Sequence, residues 1–203
     1  MKITQYDLFK STVKIRLEDC VNYIIESNKL HNSKLDFIED EFSESFYREL
    51  NAIDYSVNFG IINTYSLFVF FLSSFCKKIQ ENSDVDVSKV KGNNENIKRA
   101  KIINFIIGFD IRKHESWKSI DDYRKIRNLL IHNNLNLYSN NKNLKINPDK
   151  KTEDLIKIIS ENPYLELDKD SGKIFVEDLK FIINFKNNVL NLFDDLIINV
   201  PKF

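Results

Sequence analysis

Residues 55–76 read YSVNFGIINTYSLFVFFLSSFC and contain no charged side chain. A stretch this long and apolar either crosses a hydrocarbon layer or forms the buried central helix of a bundle. Polar and small residues interrupt the run and are costly in lipid, so they favour the buried helix. They are Asn58, Gly60, Asn63, Thr64, Ser66, Ser73 and Ser74. The stretch therefore predicts a central helix covered by its neighbours or by a second subunit, with a membrane anchor as the alternative.

Apolar residues recur every three or four positions before and within this stretch, which is the spacing of amphipathic helices. They predict a first helix within residues 1–30 and a central helix over about 42–79, with a bend at Gly60. The first stripe consists of Tyr6, Phe9, Val13, Leu17, Val21 and Ile24, and the second begins with Phe42, Phe46, Leu50, Ile53 and Val57.

The second half of the chain predicts shorter elements. Polar residues 82–98 indicate a loop, and residues 98–109 a short apolar helix. Ser116 or Ser119, with Asp122, offers N-cap chemistry for a further helix that ends just after His132.

A polar, Asn- and Lys-rich loop is predicted over residues 133–151, followed by a short helix over 152–160. Residues 164–167 and 173–176 flank Gly172 and favour a β-hairpin. A last amphipathic helix carries Leu179, Ile182, Val189, Phe193 and Leu196.

These elements predict an all-α fold: an antiparallel bundle of about five to six helices with a small β-hairpin before the C-terminal helix. Gly occurs 4 times and Pro 3 times, which favours long helices over turn-rich sheets. The elements show no internal repeat, and we expect one domain over residues 1–203.

Composition narrows the classes of function. The net charge is zero, so a nucleic-acid partner would have to bind a local basic patch. Cys20 and Cys76 lie far apart, which is typical of a reducing compartment and predicts a cytoplasmic location. His31 and His114 are expected on the surface, and the spacing of the three histidines does not suggest a zinc site. We therefore expect neither a metal nor a cofactor.

One stretch carries candidate chemistry: residues 123–134 read YRKIRNLLIHNN. Residues 112–151 hold ten Lys or Arg against four Asp or Glu, so the motif lies in a locally basic segment. An imidazole moves protons near neutral pH, and a guanidinium holds phosphate oxygens with two N–H groups. Together they suit proton transfer beside a bound phosphate group.

Arg127 and Asn128, followed by three apolar residues, His132 and Asn133, resemble the Arg-x(4–6)-His signature of HEPN domains. The layout of two long helices, a variable loop, a motif helix and a closing helix resembles that family too. The resemblance implies a metal-independent endoribonuclease, acting as a toxin or antiviral-defence effector, with Arg127 and His132 as catalytic residues. We expect Asn128, Asn133, Arg124 and Lys125 to support the site or contact substrate.

On an ideal helix Arg127 and His132 lie about 140° apart, so one helix alone makes a poor site, whereas Asn128 and His132 share a face. The resemblance implies a homodimer in which two motif helices face each other. RNA is the expected substrate, and a regulatory or antitoxin protein is a further expected partner.

The motif departs from one subgroup of that family, in which a Tyr stands two residues after the His and is modified by a partner. Asn134 takes that place here, and Tyr138 is not an obvious substitute. The alternative function is a non-catalytic HEPN module that binds RNA or a partner protein.

Overall fold

The computed structural model describes residues 5–138, 145 and 148–200, and 72% of these described residues are helical. The predicted mainly α fold is thereby confirmed. The helices are α1 (Gln5–Leu35), α2 (Glu44–Glu81), α3 (Glu95–Ile107), α4 (Glu115–Asn133), α5 (Lys150–Glu161) and α6 (Lys180–Ile198). A hairpin of β1 (Leu165–Leu167) and β2 (Ile174–Val176) precedes α6. Part of the predicted loop over 133–151, residues 139–144 and 146–147, lies outside the described residues.

The core forms where α1, α2 and α6 meet. Four residues of the predicted first stripe, from Val13 to Ile24, are at most 3% exposed. They face a cluster of aromatic rings in which Phe68 packs edge-on against Phe185 and Phe193. Edge-to-face packing of this kind adds to the free energy gained by burying the rings. This cluster fixes the inner surface against which the motif helix lies.

Gly60 allows the helices to approach closely, and α2 continues through it as one helix from Glu44 to Glu81. A Cβ atom at position 60 would stand 2.6 Å from Cδ1 of Ile24 and 2.8 Å from Cδ1 of Ile182. The glycine thus lets α1 and α6 pack closely against α2. The predicted bend at Gly60 does not interrupt the helix.

The apolar central helix is a core element in this structure. Of the described helices, α2 is the one long and apolar enough to cross a membrane, and 50% of its most apolar window is buried inside the protein. Phe68, Leu72 and Phe75 in that window are fully buried. These residues make α2 a core helix of the bundle, and the cytoplasmic location stays a prediction.

Capping side chains explain why α2 and α3 begin at residues other than those predicted. Ser43 caps α2 by accepting the N–H of Phe46, so Phe42 lies before the helix and is 85% exposed. Asn94 caps α3 by accepting the N–H of Ile97, so the loop before α3 ends earlier than predicted. In both cases the cap satisfies an N–H that has no partner within the helix.

The predicted hairpin is confirmed. β1 and β2 pair antiparallel with Leu165 opposite Val176 and Leu167 opposite Ile174. Gly172 closes the turn at φ +75°, a conformation that side-chain-bearing residues rarely adopt. A Cβ atom there would lie 2.3 Å from Cδ2 of Tyr138. The Tyr138 ring therefore packs on the turn.

The prediction that His31 lies on the surface is wrong. Its Nδ1 lies 2.6 Å from Oε2 of Glu49, and the two side chains are only 21% and 11% exposed. Lys34 and Arg48 add positive charge at 3.7 Å and 3.9 Å from the same carboxylate. The hydrogen bond from His31 is the main cause that holds the pKa of Glu49 below its ordinary value. This cluster ties the end of α1 to the start of α2.

Replacing Glu49 with glutamine is expected to lower the melting temperature at pH 7. The lowered pKa means that the carboxylate stabilises the fold above the unfolded-state value of about 4.3. That stabilisation is lost as the pH falls through the lower folded-state pKa. Thermal unfolding at pH 7 and at a series of lower pH values should therefore show a gap between wild type and variant that narrows in acid. A gap that does not narrow as the pH falls would contradict this assignment.

Candidate functional site

The motif helix α4 is held by an unusual cap and by its aromatic inner face. His114 precedes the helix, and its Nδ1 accepts the N–H of Ser116, which leaves Nε2 to bind Oδ2 of Asp195 at 3.0 Å. The imidazole is 6% exposed, so the predicted surface position of His114 is also wrong. On the inner face the Tyr123 hydroxyl lies 2.9 Å from that of Thr64. The start and the inner face of α4 are thus fixed by α6 and α2.

The end of α4 is anchored by the hairpin. Asn134 terminates the helix in the left-handed conformation, a role to which asparagine is suited. The next residues bridge to β2: the N–H of Leu137 binds the carbonyl of Gly172, and the N–H of Ile174 binds that of Leu135. Both leucines are buried. His132 therefore stands at a helix end whose position the hairpin defines.

Five of the six predicted site residues line one cleft between α4 and α5. The cleft has a volume of about 740 Å³. From α4 it is lined by Arg124, Lys125, Asn128, Leu129, His132 and Asn133, and from α5 by Lys150, Lys151, Asp154 and Leu155. Asn128 and His132 share this face, as their spacing predicts. We call this the α4/α5 cleft.

Among the described residues that line the α4/α5 cleft, four are Lys or Arg and one, Asp154, carries a carboxylate. Two of these cations are paired, because Asp121 holds Arg124 at 2.8 Å and Lys125 lies 3.2 Å from Asp122 and 3.5 Å from Asp121. Lys150 and Lys151 are exposed on the first turn of α5, and no ion pair with either is found in the described part of the chain. These two ammonium groups are therefore available to an anion entering the cleft.

The residues from α5 were missed by the sequence reasoning, which placed Lys150 and Lys151 in a polar loop. Asp149 accepts the N–H of Thr152 and caps the helix, so α5 begins two residues earlier than expected. The sequence does contain a signal for this helix start. Asp149 precedes a lysine pair, and Leu155, Ile158 and Ile159 follow at the apolar spacing of a helix.

Arg127 lies outside the α4/α5 cleft. Its guanidinium carbon is 5.4 Å from the centre of the Tyr65 ring, a cation–π distance, and its Nη1 donates to Oδ1 of Asn128 at 3.1 Å. Its Nε is buried without a hydrogen-bond partner among the described residues. The Tyr65 hydroxyl accepts from Nδ2 of Asn96 at 2.8 Å. Within one chain, then, Arg127 and His132 do not line the same cleft.

The other nucleophile candidates are poorly placed. Burial raises the pKa of Cys76 to about 11 and also raises the pKa of Cys20, so neither thiol ionises readily at neutral pH. Among the described residues, no three His, Cys, Asp or Glu side chains cluster as a metal site. The α4/α5 cleft thus offers an imidazole, two amides and several cations, which suit proton transfer and binding of a polyanion.

Comparison with protein families, with curated proteins and with solved structures finds no match to this chain. The resemblance to HEPN domains consequently stays a prediction that rests on the motif and on the layout of the helices. Asn134, which replaces the modifiable Tyr of one subgroup, is taken up by the helix cap, and Tyr138 packs on the turn at Gly172.

Proposed function

We propose that this chain is a metal-independent endoribonuclease of HEPN type, in which His132 transfers protons at the ribose and phosphate oxygens of RNA. The observation that carries the proposal is the placement of His132 in the α4/α5 cleft among four cationic side chains. A polyanion attracted by those cations meets an exposed imidazole on a structurally anchored helix end. A role as a toxin or defence effector, as the resemblance implies, is part of the proposal.

The proposed reaction uses the 2′-hydroxyl of the RNA as the nucleophile. Its oxygen attacks the adjacent phosphorus, the bond from phosphorus to the 5′-oxygen breaks, and the products carry a 2′,3′-cyclic phosphate and a 5′-hydroxyl. A neutral imidazole accepts the 2′-hydroxyl proton, and a protonated imidazole donates a proton to the leaving oxygen. In a homodimer, the same His132 can accept the first proton and donate it to the leaving oxygen, with Arg127 of the other chain countering charge on the phosphorane.

The second candidate function is a HEPN module that binds RNA without cutting it. The observation in its favour is the position of Arg127, which contacts Tyr65 and Asn128 of its own chain instead of lining the α4/α5 cleft. In this case the Arg127 side chain would stabilise the packing of α4 on α2. The cations of the α4/α5 cleft would then bind a nucleic acid, but Arg127 would not stabilise the charge that develops on phosphorus during cleavage.

The purified protein is expected to cut single-stranded RNA in the presence of EDTA and to leave 5′-hydroxyl ends. If four cations meet phosphates, binding should fall with salt at a log–log slope of about −2.8, since each contact in a single strand contributes about −0.7. End-labelling of the products and binding titrations at several salt concentrations measure both quantities.

The test variant is Lys150→Gln/Lys151→Gln in the α4/α5 cleft. The control variant is Lys29→Gln/Lys77→Gln, at exposed positions of α1 and α2. The first pair should halve the salt slope to about −1.4, and the second should leave it unchanged. Binding without cleavage in EDTA would support the non-catalytic module. Equal losses in both variants would show that the α4/α5 cleft is not where the RNA binds.

A further inference from the structure

A second cleft lies further along the same two helices. α5 runs antiparallel to α4, because Lys118 in the first turn of α4 pairs with Glu161 at the end of α5 at 3.4 Å, whereas His132 and Lys150 line the same cleft at the other end. The second cleft, of about 430 Å³, occupies the Lys118 end and is closed on its third side by α6. The two clefts thus lie one after the other along the line between α4 and α5.

Side-chain amides line this second cleft, which we call the asparagine cleft. Asn184, Asn187, Asn188 and Asn191 lie at helical spacing on one face of α6 and line it together with Asn162. Asn188 donates to the backbone carbonyl of Asn184, and Asn162 accepts the N–H of Tyr164. Among the described residues, no hydrogen bond occupies the side-chain amides of Asn184, Asn187 or Asn191. Each of these three amides offers a donor and an acceptor side by side.

The charge of the asparagine cleft differs from that of the α4/α5 cleft. It contains one cation, Lys118, and two carboxylates, Asp122 and Glu161, so it provides no excess positive charge for a phosphate. The rings of Phe181 and Phe185 lie beneath the amides, where they stack on Tyr123 and are 5% and 3% exposed. The ligand that fits is therefore a neutral group that presents donors and acceptors to the amides.

We propose that the asparagine cleft binds an unpaired nucleobase of the strand whose phosphates lie in the α4/α5 cleft. This inference rests on the proposed function and makes Asn187 and Asn191 specificity-determining residues. A base has a planar apolar face and an edge of donors and acceptors, which a side-chain amide pairs with two hydrogen bonds. From Lys118 to His132 the rise of α4 spans about 21 Å. A stacked strand at about 3.4 Å per nucleotide would cover that span with roughly six nucleotides.

The test measures how native protein discriminates among 2′-O-methyl homopolymers of adenosine, cytidine and uridine, which lack the attacking hydroxyl and are not cut. Fluorescence anisotropy with labelled 12-mers should give dissociation constants that differ by about fivefold or more. Fivefold is the lower end of the discrimination between bases that an amide with two hydrogen bonds to a base provides. The variant Asn187→Ala/Asn191→Ala should bring the three constants within about twofold of one another. Asn22→Ala/Asn51→Ala, at exposed positions of α1 and α2, is the matched control and should keep the differences.

Discrimination that the cleft variant loses and the control keeps supports the inference, even if the protein cuts no RNA. Binding that is equal for the three homopolymers, or discrimination that survives in the cleft variant, overturns the inference while leaving a nuclease that cuts without base preference. Failure of every homopolymer to bind, at low salt, overturns the inference together with RNA as the substrate.

Discussion

Replacing His132 with alanine is expected to lower the rate of RNA cleavage by about 10²–10⁴-fold, the usual contribution of a general acid or base. The other nitrogen-bearing side chains of the α4/α5 cleft are amides, lysines and an arginine, so His132 is the one imidazole among the described residues that line it. The carboxylate of Asp154 is exposed on α5 and is the one carboxyl group among those described lining residues. Single-turnover rates in EDTA, measured for both proteins on the same RNA, give the ratio.

The same substitution should leave the fold intact, because the His132 side chain is exposed and its helix end is held by Asn134 and by the bridge to β2. Circular dichroism, the melting temperature and RNA binding should therefore match the wild type. A variant that cuts within about threefold of the wild-type rate would exclude His132 as the proton-transfer group. Asp154→Asn, tested beside it, shows whether that carboxylate takes part.

The helical fold was predictable because burial imposes a period on the sequence. Val13, Leu17, Val21 and Ile24 repeat at helical spacing and are all buried in α1. The hairpin was predictable for a similar reason, since a turn glycine stands between two short β-prone runs. The boundaries of the helices were less predictable, because they depend on single capping contacts. A histidine is a rare cap, and nothing local in the sequence indicates that His114 accepts the N–H of Ser116.

The residues of the candidate site that lie on one helix could be grouped from the sequence. The residues that a second helix contributes could not. Asn128 and His132 are four residues apart, so their common face follows from helix geometry. The contribution of Lys150 and Lys151 depends on how α5 returns along α4. That return follows from tertiary packing, which no local pattern encodes. The contact of Arg127 with Tyr65 is of the same kind, because the two residues lie on different helices.

Replacing Arg127 with alanine is expected to lower the cleavage rate by about 10²–10³-fold, the cost of losing one preorganised donor to developing charge. Arg127→Lys should not restore the rate. A lysine is a point charge, and its ammonium cannot both lie over the Tyr65 ring and donate to Asn128 as the planar guanidinium does. A non-catalytic packing role predicts another result, namely that both substitutions lower the melting temperature and that neither changes RNA binding by the folded protein.

Mixing the two inactive variants tests the composite site directly. Arg127 and His132 of one chain lie on different faces of α4, so a site that uses both must draw them from two chains. A dimer of one His132→Ala chain and one Arg127→Ala chain keeps one of the two symmetry-related sites intact. After subunit exchange, about half of the dimers are mixed and about a quarter of the wild-type activity should return. If mixed dimers form and no activity returns, Arg127 and His132 do not act across the subunit interface.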